Sequence, residues 1–236
     1  MTLPVSGTIT LAQVNTELGN ASTTNISMNQ ASVRSLFAVP TGAIAMSNGY
    51  GKSATTYATW NPSDHGTNST LSGSNLVITN TGLGSFARST VSKSSGKWYW
   101  EVTLTSSTLY RRWTPGIAKA AASNNGTLGS GADSYSYYVE GGQKFGPSSV
   151  FNTPAYGAAS CVAGDIVGVA LDLTAGTLTF YKNNVSQGVA YSGLTGTFFA
   201  GMGCDNIGTE TCVSTTNFGA SAFVYTPPAG YSAGLF

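Results

Sequence analysis

Charge is what this sequence has least of. Ten lysines and arginines and nine aspartates and glutamates are spread over 236 residues, 8% in all, against about 25% in an average soluble domain. With a net charge of +1 and no basic stripe, phosphate neutralisation is excluded as a main function, so no nucleic-acid partner is expected, and no anionic membrane surface either. No run approaches the roughly 20 apolar residues of a membrane span, so no membrane insertion is expected. Met1–Gly7 has neither a basic region nor a long apolar stretch, which argues against a signal peptide. Histidine occurs once, as His65, in the polar stretch Asn61-Pro62-Ser63-Asp64-His65-Gly66, which reads as a solvated turn. The three cysteines, Cys161, Cys204 and Cys212, have no CxxC spacing and no neighbouring histidine, so no structural metal is expected. Cys204 and Cys212 could bridge a hairpin if oxidised. Without a secretion signal, two reduced thiols at the ends of a loop are the expectation.

Ser, Thr, Asn and Gly must cover the surface instead, and glycine alone contributes 30 residues. A surface so poor in charge invites association near the isoelectric point and suits a protein built into an assembly. Apolar residues reach 41%, enough for a sizeable core, and the length fits one large all-β domain with a small appendage.

Residues 1–55 form that appendage. Thr10 can cap a short helix in which Leu11, Val14 and Leu18 share a face and Gly19 stops the chain. A second helix is expected from Ser27, with Ser27 and Gln30 as a capping box. Met28, Val33, Leu36 and Phe37 supply its apolar side, and Pro40 ends it. Two helices this short cannot bury a core alone and must pack on the β domain, on other copies or on another protein; the last two are expected for Leu11, Val14, Leu18, Val33, Leu36 and Phe37. Gly51-Lys52-Ser53 lacks the glycine five residues earlier that a phosphate loop needs, since Met46 stands there.

From residue 56 to 236 the pattern is all-β: short runs rich in Val, Ile, Thr, Tyr, Phe and Trp separated by Gly, Asn and Ser turns. Asn75–Thr79, Lys97–Leu104, Asp165–Asp172 and Gly176–Tyr181 read as strands. In the last, Leu178 and Phe180 alternate with Thr177, Thr179 and Tyr181, the signature of a half-buried antiparallel strand. Lys182-Asn183-Asn184-Val185 reads as a tight hairpin turn. So many strands without helical periods between them imply a mainly β fold, a two-sheet antiparallel sandwich behind a short helical segment.

Gly96-Lys97-Trp98-Tyr99-Trp100-Glu101-Val102, Pro115-Gly116-Ile117-Ala118, Ser134–Tyr138, Gly164–Asp172 with Gly176–Asn184, and Asn217-Phe218-Gly219 with Pro227–Tyr231 occur in the order found in SPRY domains. The chain resembles that family over about residues 60–235. The resemblance implies a concanavalin A-like sandwich whose exposed loops bind partners, mostly proteins, without catalysis. Asn29–Leu36 and Val39–Ser53 resemble a segment found in tailed-bacteriophage virion proteins, often of tails and fibres.

Sandwiches of this kind include glycosidases, which need two carboxylates flanking a cleft. No strand here carries two acids at i, i+2 or i, i+4. Asp165 and Asp172 bracket one strand at opposite ends, which leaves Asp205 and Glu210 as the best pair, with Asp205 a weak candidate for Ca²⁺. The expectation is therefore no catalytic residue, no metal and no cofactor. Recognition is expected in the loops, with Tyr110, Arg111, Arg112 and Trp113 as ligand contacts and Tyr135 beside them, because Tyr, Trp and Arg combine large area with a polar end. Trp113 can alternatively be a core residue that opens a strand.

Taken together, the sequence suggests a non-enzymatic virion protein, made in the host cytoplasm and assembled into a phage particle. Residues 1–55 would bind other virion proteins. The sandwich would recognise a host-surface glycan or protein as part of a tail or fibre. A capsid or tail decoration protein and an intracellular SPRY adaptor are the alternatives. A homo-oligomer is expected, a trimer by analogy with phage fibres.

Overall fold

The computed structural model of the protein describes residues 2–52, 54–108, 112–147, 156–159, 161–205 and 208–236. The chain divides into two compact units, Met1–Thr56 and Tyr57–Phe236.

In the first unit, helix α1 spans Leu11–Glu17 and helix α2 Ala31–Phe37, followed by a 3-10 turn at Met46–Gly49. Thr10 caps α1 in a reciprocal box with Gln13. Ser27 and Gln30 do interact, since Gln30 accepts from the Ser27 N–H, but they form a turn before α2, which starts only at Ala31. The helix ends at Ala38, in left-handed conformation at φ 58°, two residues ahead of Pro40. Arg34 holds that end: its guanidinium donates to Asn29 Oδ1 and to the carbonyls of Val39 and Gly42.

The expectation that these helices lack a core of their own is corrected here. Val14, Val33, Leu36 and Phe37 are buried together with Leu3 and Ile9, and Leu18, Met28, Ile44 and Met46 close around them. The non-helical stretches supply what two short helices cannot. Leu3 donates to the Lys52 carbonyl at 2.9 Å and Gly51 to that of Pro4 at 3.0 Å, tying the ends of the unit together. Glu17 accepts from the Ala54 N–H at 2.9 Å. Four of the six residues expected to face a partner are thus spent on the interior, Leu18 packs against them, and Leu11 is 42% exposed.

The second unit contains strands β1 (Trp60–His65), β2 (Ser69–Ser72), β3 (Val77–Thr81), β4 (Ser85–Lys93), β5 (Lys97–Ser107), β6 (Trp113–Ala118), β7 (Ser134–Tyr138), β8 (Gln143–Phe145), β9 (Ile166–Asp172), β10 (Thr177–Lys182), β11 (Val185–Tyr191), β12 (Phe198–Cys204), β13 (Thr211–Asn217) and β14 (Ser232–Ala233). One sheet runs β1-β4-β12-β6-β7-β8, the other β11-β10-β9-β5-β13-β3-β2, with β14 parallel to β5. This is the two-sheet antiparallel sandwich read from the sequence. The residues around His65 are not a free turn: they form the edge strand β1, bulged between Trp60 and His65, and Pro62 fits there because an edge strand spares an N–H. The β10–β11 turn carries Asn183 at φ 47° and Asn184 at φ 69°, the positive angles a two-residue hairpin requires.

Between the sheets lie Trp60, Trp100, Trp113, Ile117, Tyr137, Val169, Leu178, Phe180, Phe198 and Met202. Every residue of β9 is buried, so its sheet is covered on the outside as well. The cover is the chain after β13. Tyr99, on the outer face, meets Phe223 edge-on at 5.3 Å. Glu101, only 3% exposed, accepts from the Val224 and Tyr225 N–H groups at 2.9 Å each. Gly168 leaves room for the Tyr99 ring, since a Cβ there would stand 2.5 Å from its hydroxyl oxygen. On the other sheet the 119–133 segment covers Phe86 and Ala118 with Leu128. It is held where Arg88, ion-paired with Asp64 at 2.7 Å, also donates to the carbonyls of Lys119 and Ala122.

Replacing the carboxylate that anchors the outer strap, Glu101→Ala, is expected to lower stability by about 3 kcal/mol, because charged hydrogen bonds to buried donors are lost. Urea unfolding should show a lower midpoint with an unchanged slope.

Candidate functional site

Arg112 precedes β6 and sits opposite Glu140, which follows β7, because β6 and β7 pair with Gly116 against Ser136. Arg112 Nε lies 3.4 Å from Glu140 Oε2, and the Arg112 side chain is 17% exposed. Arg112 Nη1 reaches the Asp205 carbonyl at 3.4 Å, and Asp205 N–H donates back to the Arg112 carbonyl at 2.9 Å. The Asp205 carboxylate accepts from the Thr127 hydroxyl at 2.5 Å. Tyr138 donates to Glu140 at 2.5 Å and stacks on Phe145 at 4.8 Å. Burial, then the bond to Glu140, pushes the Tyr138 hydroxyl well above its ordinary pKa, with Arg112 pulling the other way. The phenol therefore serves as a neutral donor.

The same end of the sandwich continues through the next loops. Val139 donates to the Trp113 carbonyl and accepts from the Cys161 N–H, which joins the turn after β7 to the segment before β9. Asp165 there accepts from Val162 N–H at 2.9 Å and from Asn183 Nδ2 at 2.8 Å, and pairs with Lys182 at 3.4 Å. Burial works against this carboxylate, but the Asn183 and Val162 bonds and the Lys182 ammonium outweigh it and hold its pKa below the ordinary value. Leu83, between Gly82 and Gly84, joins the rim where Gly82 N–H donates to the Glu210 carbonyl. Among its described residues the rim exposes three large apolar side chains, Leu83 at 66%, Val162 at 42% and Val185 at 64%. Val162 and Val185 flank the Lys182–Asp165 ion pair, while Leu83 stands at the β3–β4 turn across the same end, so this end mixes the apolar contact and charge that protein interfaces use.

Of the residues expected to touch a ligand, the structure retains one on this rim. Tyr110 and Arg111 lie outside the described residues. Trp113 is 1% exposed: it opens β6, faces the space between the sheets and donates its indole N–H to the Val213 carbonyl at 3.0 Å. The core alternative is therefore right, and Trp113 is corrected as a contact. Tyr135 is corrected too. It pairs with Ile117, about 17 Å of strand from Arg112, and packs edge-on against Tyr191 and Phe198. Arg112 remains, with its guanidinium engaged rather than swinging free.

The acidic pair considered for catalysis belongs to structure. Asp205 and Glu210 are both buried, and Cys204 and Cys212 around them are disulfide-bonded, with 6.5 Å between their Cα atoms. The expected reduced thiols are thus corrected, as is the hairpin. β12 and β13 lie in different sheets, so the bond ties the two layers together. Among the described residues no three His, Cys, Asp or Glu side chains gather as metal ligands. A cavity of about 200 Å³ within the 119–133 segment, lined by Ser123, Asn125, Ser130 and Asp133, falls below the usual small-molecule range.

The residues that sequence reasoning missed are Leu83, Val162, Val185 and Glu140. Leu83 carried a signal, a lone large apolar residue between two glycines. Val162 and Val185 stand beside turn residues in the same way.

Comparison with known proteins points to one family. The sequence model of the SPRY domain matches residues 97–220. The E3 ubiquitin-protein ligase RKP of Arabidopsis thaliana is 32% identical over 119 residues, which is 50% of this chain and 9% of that protein, so the chain spans a small part of its relative. Among solved structures, the SPRY domain of human HERC1 superposes with a TM-score of 0.55 at 15% identity, covering 66% of this chain and 97% of that one. The TRIM65 PSpry domain gives 0.50 at 19% identity, covering 69% and 92%. Both likenesses concern the fold. Nothing in these comparisons bears on the bacteriophage resemblance of the first 55 residues.

The rim should report its electrostatics through pH. The stability Asp165 contributes is full above its unfolded pKa of about 4 and is lost as pH falls through its lower folded value. Asp165→Asn should flatten the acid limb of urea midpoints measured from about pH 5 to about pH 2.

Proposed function

The chain belongs to the SPRY domain family, and on that premise we propose that its sandwich is a non-enzymatic recognition module that engages a protein partner through the Arg112–Val162–Val185 rim. The observation that carries this reading is the combination at that rim of three exposed apolar side chains with two ion pairs held by buried backbone. Apolar residues at 42–66% exposure gain by being covered, while fixed charges beside them select the partner.

The carboxylates support the non-catalytic part. Asp64 holds Arg88, Asp165 and Asp172 hold turns and lysines, Glu101 holds the outer strap and Asp205 holds Thr127. Each is tied to a structural donor rather than aimed into a cleft. A glycan partner loses its main argument with Trp113 in the core, because no indole face is offered there for a sugar ring to stack on.

We further propose that the protein is a virion component of a tailed phage. Two features support this: the resemblance of Asn29–Leu36 and Val39–Ser53, and a first unit whose charged side chains number only Glu17, Arg34 and Lys52. Glu17 is buried and Arg34 is engaged with its own helix end. A nearly uncharged surface is suited to seating in an assembly. Attachment then falls to surface residues such as Leu11, Val5 and Tyr50 rather than to the buried apolar set.

A photo-crosslinking residue placed at Val185 in the full chain should capture a protein partner. The same residue at Val224, exposed on the outer strap, should not. Equal capture from both positions would reject the rim as the interface. Antibody against residues 57–236 viewed on intact particles by electron microscopy tests the assembly. Label on the tail supports host recognition, label on the head supports decoration, and label on no particle removes the virion reading.

A further inference from the structure

The recognition reading makes the rim the working surface, and one covalent bond lies under it. We propose that the Cys204–Cys212 disulfide is a redox latch: it holds the loops of the rim in place when oxidised, and its reduction releases them while leaving the body of the sandwich folded. The functional consequence rests on the rim being the interface; the latch itself does not.

The bond joins the last residue of β12, in one sheet, to the second residue of β13, in the other. The short segment it closes carries the attachments of three neighbouring loops. Asp205 exchanges backbone and guanidinium bonds with Arg112. Its carboxylate fixes Thr127 of the segment that covers the six-stranded sheet. Glu210 and Thr211 accept through their carbonyls from Gly82 and Thr108. With the bond closed, the two ends of this segment cannot separate, so every attachment acts against a fixed frame. With it open, the same attachments hang on a segment held to the two sheets only at its ends, while the Trp113–Val213 and Asn80–Ser85 bonds keep the sheets themselves together.

The release is local because both cysteines sit at strand ends. Beyond them, β12 stays paired to β4 and β6, and β13 to β3 and β5. Trp100, Val169 and Phe180 share a core with both cysteines, but Val169 is paired across the ladders to Trp100 and to Phe180, away from the disulfide. Both cysteines are at most 1% exposed, so a reductant reaches the bond only when the rim opens. In the reaction a dithiol gives up two electrons and two protons. The S–S bond breaks to two thiols, and the dithiol closes to its own cyclic disulfide. A protein made under reducing conditions therefore acquires a rigid rim only after transfer to oxidising surroundings, where a small-molecule disulfide drives the reverse exchange.

Amide hydrogen exchange of the full chain, before and after complete reduction by dithiothreitol verified by mass, tests the latch. The Asp205, Gly82 and Thr108 amides should exchange at least about tenfold faster after reduction, while Val169 and Phe180 keep their protection. The Cys204→Ser/Cys212→Ser variant should show the same pattern without reductant. Unchanged exchange at the three rim amides would overturn the proposal. So would a uniform rise across the sandwich, which would make the bond a general staple. Loosened rim amides with equal partner capture from Val185 and Val224 would preserve the latch and reject the rim as the interface.

Discussion

Two stacked sheets bury the surfaces they turn towards each other, but here the outer surfaces are apolar too, and each must find a cover from the chain that connects the strands. Gly168 and Ala170 beside the Tyr99 ring on one outer face, and Phe86 and Ala118 on the other, offer water only apolar surface, and the Tyr99 hydroxyl is spent on Glu101. The cover on each side is an irregular segment whose backbone must be bonded to something. The few charged residues serve that need. Glu101 receives two strap N–H groups, Arg88 donates to two carbonyls of the opposite cover with Asp64 balancing its charge, and Asp172 caps the turn at Thr174 and Ala175 while paired with Lys97. Scarcity of charge and engagement of charge are thus two sides of one arrangement. The surface is left to Ser, Thr, Asn and Gly because several ionised groups are buried holding loops.

That arrangement separates what could be read in the sequence from what could not. Strands with a strict period of two, such as β10, and a turn such as Asn183-Asn184 announce themselves through local preference, and the resemblance ordered them into a sandwich. The stretch at Asn61–His65 did not, because its residues are polar and include a proline. It is a strand only because β4 lies beside it, with Arg88 reaching Asp64 across the bulge. The outer covers were equally hidden, since Glu101 reads as an exposed alternate residue of β5 until a segment more than a hundred residues later lies across it.

The site suffered most from this non-locality. Tyr-Arg-Arg-Trp looks like a binding loop by composition, yet Trp113 opens a strand, and the alternation of β6 sends its ring inward. Tyr135 lies on the same inward-facing alternation of β7 as Tyr137, so the inner face claims both. The residues that do stand out, Leu83, Val162 and Val185, are ordinary aliphatics. They become noticeable only when three separate loops are found at one end. A hot-spot residue type is a weak guide when the same side chains also make the best core.

The first unit shows the opposite error. Its apolar residues were assigned to a partner because two seven-residue helices cannot enclose a core. The arithmetic of the helices was right, but it left out the chain around them. Leu3, Ile9 and Ile44 come from segments with no regular structure and Met46 from the 3-10 turn, and together they complete the core around Phe37. On the proposed virion reading, a unit that is satisfied internally and carries almost no charge outside attaches through scattered exposed side chains such as Val5, Leu11 and Tyr50 set in a hydroxyl-rich surface. Such a surface holds weakly at any one contact and gains from repetition, which is the condition met when many copies are seated in one assembly. On the same proposed reading the sandwich works at modest affinity, with rigidity of the rim rather than size of the contact deciding what it recognises.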